Sequence, residues 1–398
     1  MVSSNISYLW KDPQASQRFR TGISLHSHTN ESKEMLSSLA KFGSQYALMR
    51  HLMAKLERRS EAHHGMRANY KASYWTPPLT PRRAFDLESR QIEKLGMASI
   101  VSFTDHDNIN APIKVRSLVG AESVPLSLEW TVPYGEQSFH LGVHNLPAAR
   151  ATKWMEILAD YTGNPSADRL REILVSLDAE PEVLVVFNHP MWDLYLVGTR
   201  THNFLVNEFI HKYGMWMHAL ELNGLRNWHE NRAVRQLSEQ WDMPLISGGD
   251  RHGLEPNANL NMTNASSFSE FVQEIRIEKK SEVVFMPQYA EPWKHRMLRS
   301  AVDAIRHYSD FPQGSQKWDD RVFHPDAEGI VRPLSDLWPD GTPPAAMRWG
   351  IGLVRLMGRG PFSHCFRMAW SKSNEVREAL GQFDDSTHAS PCLEVPIP

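Results

Sequence analysis

Short runs rich in apolar and β-branched residues recur along this chain, each followed by a polar turn and a longer helix-like stretch. That alternation confines the chain to α/β folds built on a mostly parallel sheet. The runs are GISLHSH (22–28), MASIVSF (97–103), VPLSLEW (124–130), SFHLGVH (138–144), EVLVVF (182–187), HALELN (218–223), MPLISGG (243–249) and EVVFM (282–286). Periodicity alone does not choose between an open sheet and a barrel.

The polar residues at the ends of these runs narrow the choice. His26 and His28 close the first run as LHSH, and two histidines at i, i+2 on an extended chain point to one side, as a chelating pair must. Asp105, His106 and Asp107 follow the second run, Glu129 closes the third and His140 sits in the fourth. His189 follows the fifth in FNHP, Glu221 and Asn223 close the sixth, and Asp250 and His252 follow the seventh in SGGDRHG. Strand ends in a β/α scaffold converge on one face, so these imidazoles and carboxylates are brought together as ligands for several divalent ions.

These motifs, in this order, resemble the PHP family, the polymerase and histidinol phosphatase domain. LHSHTN is similar to its first motif and SFTDHDN to its second. The Glu129 and His140 segments are similar to its third, and SGGDRHG to its fourth, where the family form is closer to GSDAH. The resemblance spans about residues 20 to 255. It implies a distorted (β/α)7 TIM-like barrel with two or three divalent ions (zinc, manganese or iron) and phosphoester hydrolysis. Carried over by position, it gives His26, His28, Glu129 and Asp250 to a first ion. Glu129, as a bridge, joins His140 and His189 at a second, and His106 and His252 hold a third. The chain departs from the family after the HxH pair, where TNESKEML stands in place of the usual Asp or His, and Glu31 or Glu34 is the substitute oxygen ligand.

A water shared by two such ions ionises near neutral pH, and the ions neutralise charge developing on phosphorus, so no protein nucleophile is required. Asp107, a metal-bound water or His144 then protonates the leaving group. Arg251, Arg226 and Arg200 are the candidate phosphate-binding guanidinium groups, since the planar fork matches two phosphate oxygens. Arg226, Arg251, Asp107 and His252 are the expected catalytic set. Asp105, Asn188 and Asn223 are expected to support the ligands, while His63 and His64 belong to a solvated helix end.

Around this centre, residues 1–290 read as the barrel with a helical insertion at about 33–95, and 291–398 as a helical or irregular extension packed on it. Lys33 to about Glu61 reads as one long amphipathic helix, and Ala68 to Pro81, with Tyr70, Tyr74 and Trp75, as a surface loop able to act as a lid. Thr80 and Pro81 form an N-cap and N1 pair that starts a helix running through Glu93 to a stop at Gly96. Residues 341–374 contain no acid, and Arg348, Arg355 and Arg359 share one helical face. That helix either binds a phosphate or membrane surface or packs its apolar side inward with a solvated basic face.

With 43 basic and 46 acidic residues the formal charge is −3, which supplies no field for gathering nucleic acid. Only two cysteines, Cys365 and Cys392, occur, so a disulfide framework and cysteine-held metals are excluded. No transmembrane stretch or secretory signal is legible, and a cytoplasmic location is expected. The function expected is hydrolysis of a small phosphorylated metabolite or nucleotide. Its rivals are a metallohydrolase of a non-phosphate ester or amide, and a non-catalytic module of the same fold.

Overall fold

A computed structural model describes residues 2–37, 50, 51, 54, 57, 58, 61, 69–338 and 341–371. In chain order its strands are β1 (Ser3–Tyr8), β2 (Thr21–Ser24), β3 (Glu34–Met35), β4 (Tyr74–Trp75), β5 (Ala98–Val101), β6 (Leu128–Tyr134) and β7 (Gln137–His144). They continue as β8 (Leu184–Asn188), β9 (Ala219–Asn223), β10 (Leu245–Gly248), β11 (Asn259–Thr263), β12 (Lys280–Phe285), β13 (Val322–Pro325) and β14 (Val331–Pro333). They form two five-stranded sheets, ordered β1-β12-β11-β2-β5 and β10-β9-β8-β7-β6, and a smaller sheet β14-β13-β4-β3.

The fold is mixed α/β, but the large sheets are half antiparallel, where the sequence suggests mostly parallel pairing. The pairs β6/β7, β7/β8, β2/β11 and β11/β12 run antiparallel. The cause for β6/β7 is local. Tyr134 faces Gln137 across a two-residue turn in which Gly135 has φ +59°, and so short a connection permits only an antiparallel return. Glu129 therefore lies near the start of β6, whereas the sequence reading puts it at a strand end.

The two large sheets do not close into one. Single bridges join them at the carboxyl ends of β2, β5 and β10, at Ser27–Arg251 and His106–Glu129. Elsewhere side chains span the seam. The backbone N–H of Ser247 donates to Asn261 Oδ1 at 2.8 Å, that of Leu245 to Ser4 Oγ at 2.9 Å, and Asn259 Nδ2 donates to Leu222 O at 2.5 Å. Between the sheets, Ile23 and Leu25 of one pack with Leu184, Val186, Ala219 and Ile246 of the other, under Phe268, Phe271 and Ile275. Burying each such side chain contributes roughly 1.5–3 kcal/mol.

The helix Pro81–Glu93 begins as the sequence indicates, with Thr80 Oγ1 accepting from Arg83 N–H and Pro81 at its first position. The helix expected from Lys33 starts later, because Glu34–Met35 is a strand paired with Tyr74–Trp75. Most of the remaining 38–61 segment, with His63 and His64, lies outside the described residues. Tyr74–Trp75, expected as loop, is the middle of the small sheet and pairs with Val322–Phe323 as well.

Beyond residue 291 the chain is tied directly to the sheets. In the helix Trp293–Ile305, Trp293 Nε1 donates to Leu225 O at 3.0 Å, and Arg296 donates to Gly224 O and to Arg226 O. The helix Ala345–Met357 packs on it, with Arg355 donating to Ile305 O, while Arg348 and Arg359 are solvent-exposed. No described helix is long and apolar enough to cross a membrane.

Asn261→Leu keeps the volume but strands the Ser247 N–H in the interior. A loss of about 2 kcal/mol in unfolding free energy is expected, read from the urea midpoint against wild type.

Candidate metal centre

Glu129 is the hub. Its carboxylate is almost wholly buried and is faced by five imidazoles. Oε2 lies 3.2 Å from His26 Nε2, 3.3 Å from His28 Nε2 and 3.5 Å from His106 Nδ1. Oε1 lies 3.0 Å from His189 Nε2 and 3.3 Å from His140 Nδ1. Asp250 Oδ1 approaches His28 Nε2 and His252 Nδ1, each at 3.5 Å. Glu34 joins from β3: its Oε2 is 3.3 Å from His106 Nε2 and 3.2 Å from His252 Nε2, and its Oε1 is 3.5 Å from His28 Nδ1.

Backbone conformation aims several of these groups. His26, Asp107, His189 and Asp250 hold φ of 57°, 52°, 28° and 51°, a region that costs a non-glycine residue on the order of 1 kcal/mol or more and persists where surrounding contacts enforce it. Each follows or lies just beyond a strand end, and the left-handed step turns its side chain back across the sheet. Gly248 is required for another reason, since a Cβ there would overlap the Glu221 carboxylate.

A second ring of partners orients the ligands. Glu221, within apolar β9, takes His26 Nδ1 at 2.6 Å and accepts the His189 backbone N–H at 2.6 Å. With Nδ1 so held, His26 presents Nε2 to the cluster, the arrangement that metal-ligating histidines use. The Asp250 carbonyl takes His252 Nδ1 at 2.8 Å and frees its Nε2 in the same way. Asn188 donates to Glu129 Oε1 at 3.0 Å. Asp105 accepts the Thr29 N–H and hydroxyl at 2.6 and 2.7 Å and so fixes the turn after the HxH pair. Glu221 is visible in the sequence at its strand end, and a carboxylate inside an otherwise apolar buried strand signals a partnered charge.

Burial and mutual charge set the protonation. Burial alone would raise Glu129, but His26, His140 and His106 outweigh it and hold the carboxyl well below its ordinary range. Glu34 and Asp250 behave alike, through His106 and His252 for the first and chiefly a hydrogen bond from His28 for the second. Burial depresses His28 and His106, yet the facing carboxylates, led by Glu34, bring them up to about 9 and about 10. Burial raises Asp105 to about 6 against the opposing influence of His28 and Thr29.

The donor set fits divalent cations. Glu129 Oε2 and His140 Nδ1 are buried without a hydrogen-bond partner. Five groups of three donors have their ligand atoms within 4.8 Å of one another: His26/His28/Glu129, His106/Glu129/His140, His28/Asp250/His252, His28/Glu34/His106 and His26/His189/Glu221. Packing bare carboxylates and imidazoles this densely requires protons or metal ions between them.

Other sequence candidates lie elsewhere. Glu31 pairs with Lys114 at 2.6 Å and is not in the cluster, so Glu34 is the carboxylate that faces His106 and His252. Arg251 is buried away from the cluster in an ion pair with Glu88 at 2.8 Å. There it ties the segment after β10 to the helix Pro81–Glu93. Arg200 is exposed at the start of the helix Thr199–Tyr213. His144 lies inside the fold against Ser102 Oγ at 2.9 Å, and burial, with His26 nearby, drives it down to about 3. Arg226 does reach the centre: it donates to Asp250 Oδ2 at 3.2 Å, lies 3.6 Å over the Trp192 ring and leaves Nε unpartnered. Asp107 takes the Thr131 N–H at 2.8 Å. Both Arg226 and Asp107 line a cavity of about 1110 Å³ that opens onto His106, His140 and His252.

No family model and no curated protein matches the chain. Among solved structures it is similar to PsfC from Pseudomonas syringae PB-5123, at 13% identity and TM-score 0.37, over 56% of this chain and 87% of that one. A "putative metal-dependent phosphoesterase" from Bifidobacterium adolescentis matches at 15% and 0.31, over 50% and 91%. An amidohydrolase from Chromobacterium violaceum, with bound sulfate and no metal, matches at 13% and 0.32, over 44% and 83%.

Three outcomes are expected of the centre. Because His28 and His106 carry protons in the metal-free protein below about 9 and 10, and His26, lowered by burial, is raised well above its ordinary value by Glu129 and Glu221, cation uptake at pH 7.5 releases about three protons per chain and fewer above pH 10. Calorimetry in buffers of different ionisation enthalpy measures this. The same raised values stabilise the metal-free fold fully below the unfolded histidine value of about 6.5, and that stabilisation is lost as pH rises through 9 to 10. Glu221→Gln weakens metal affinity by about 10- to 100-fold by loosening His26 and His189, read by competition with a chelating dye.

Proposed function

We propose that this chain is a metal-dependent hydrolase of the PHP type that cleaves a phosphoester of a small molecule. The observation that carries the reading is the convergence of six histidines on Glu129, Asp250 and Glu34. The reading takes the strands β2, β5, β6, β7, β8, β9 and β10, which lie in two sheets joined by isolated bridges, as an open form of the distorted seven-stranded barrel that the resemblance implies.

Two or three divalent ions fit the donor groups. His26, His28 and Glu129 would hold one, and His106, His140 and Glu129, with His189 beside them, a second. Asp250, His252 and Glu34 complete a third position with His28 and His106. Such ions supply Lewis acidity and a nucleophile available at neutral pH.

The protein's own groups do the rest. Glu221 and the Asp250 carbonyl fix the histidine ring orientations. Arg226 offers a guanidinium at the cavity floor beside Asp250, matched to a phosphate oxygen and held flat by Trp192. This favours phosphate over a neutral carboxyl ester or amide. His144 is enclosed against Ser102 and does not line the cavity, whereas Asp107 does, so Asp107 is the protein group placed to pass a proton to the leaving oxygen.

Metal content measured by plasma mass spectrometry on protein purified without chelator or histidine tag tests the reading. Two or three equivalents are expected, lost together in Asp250→Ala along with hydrolysis of phosphomonoesters or phosphodiesters. Arg226→Ala keeps its metal and lowers kcat/KM for phosphoesters by about 100-fold. Retained metal with hydrolysis of carboxyl esters or amides, and none of phosphoesters, overturns the phosphate assignment.

A further inference from the structure

The cavity over the cluster has two unlike ends. Its floor is the polar set His106, His140, His252, Glu34, Asp107 and Arg226. Much of its wall is apolar: Trp75, Trp192 and Trp318, with Met297, Ile305 and Ile351 from the two helices that follow residue 291. At about 1110 Å³ it exceeds the roughly 300–1000 Å³ usual for small-molecule sites, so a phosphate group fills only its base.

Two of the polar side chains along these walls, Asn108 and Tyr195, are already engaged. Asn108 Nδ2 donates to Glu31 O at 3.1 Å and His106 O at 2.9 Å, and its Oδ1 accepts from Asn110 N–H at 3.1 Å. Tyr195 Oη pairs with Ser138 Oγ at 3.3 Å. Among the described residues lining the cavity, the cationic side chains are Arg226, held by Asp250, and Lys33, whose Nζ sits 5.3 Å over the Tyr74 ring. A polyphosphate would leave its charges short of cations there.

We propose that the group esterified in this enzyme's substrate is a large apolar one, a long-chain alkyl or aryl alcohol, seated in the chamber between the cluster and the helices Trp293–Ile305 and Ala345–Met357. The assignment rests on the phosphoesterase reading and gives the extension a task. Its helices supply the wall that the sheets lack, so chain length is read by Ile305 and Ile351 while the phosphate is read by Arg226.

Titration of manganese-loaded protein with methylphosphonate and n-octylphosphonate, neither of which can be hydrolysed, separates the two claims. Burial of a methylene is worth roughly three- to fourfold in affinity, so octylphosphonate is expected to bind at least about 100-fold tighter. Ala304→Trp, which fills the chamber, and Ile351→Asp, which charges its wall, each lower octylphosphonate affinity by at least about tenfold, with bound manganese per chain reporting that both variants fold. Equal affinity for the two phosphonates, or octyl preference intact in both variants, overturns the apolar chamber and leaves the phosphoesterase standing. Binding of manganese but of neither phosphonate overturns both.

Discussion

Everything near the centre of this molecule answers to one constraint: the Glu129 carboxylate is shut away from water and surrounded by imidazole nitrogens. A charge in that position is tolerable only when each oxygen is matched by a cation or a donor. Asn188 serves one oxygen directly. The other meets three histidine nitrogens and no hydrogen bond, an arrangement that bare protein chemistry leaves incomplete. The left-handed steps at four site residues and the glycine beside Glu221 are the backbone's accommodation to it. The fold keeps these local costs because sheet pairing and the apolar layer between the sheets hold the strand ends in place.

The centre was more legible in the sequence than the framework around it. LHSH, TDHD and DRH announce themselves because histidines and carboxylates seldom end successive apolar runs without converging. Glu34 was one of two choices, since both glutamates fall in the same polar stretch; β3 pairing decides it. Arg251 reads as a phosphate ligand because it stands between two ligands, but alternation along the chain turns it outward to Glu88. Two strands of the large sheets escaped notice. β1 reads SSNISY and β11 reads NLNMT, neither with the apolar density of a buried strand. In β11 the buried asparagines substitute for what a neighbouring backbone would otherwise provide, so its polarity is the reason it can sit at the seam.

The chain beyond residue 291 carries no motif, and its sequence gives little beyond a basic helix. Its structural weight is in specific donors. Arg296 and Trp293 grip the backbone of the Gly224–Arg226 turn, which places the one guanidinium at the cavity floor, and Arg355 anchors the next helix in turn. A side chain nearly seventy positions away in sequence thereby sets where Arg226 stands.

Glu34 belongs to two assemblies at once. Its backbone is half of a two-residue strand, and its carboxylate closes the cluster against His106 and His252. A strand pair that short has almost no persistence of its own. The small sheet and the ion-binding set meet in one residue. Loss of the Glu34 carboxylate therefore removes a donor from the cluster and the small sheet's tie to it in one step.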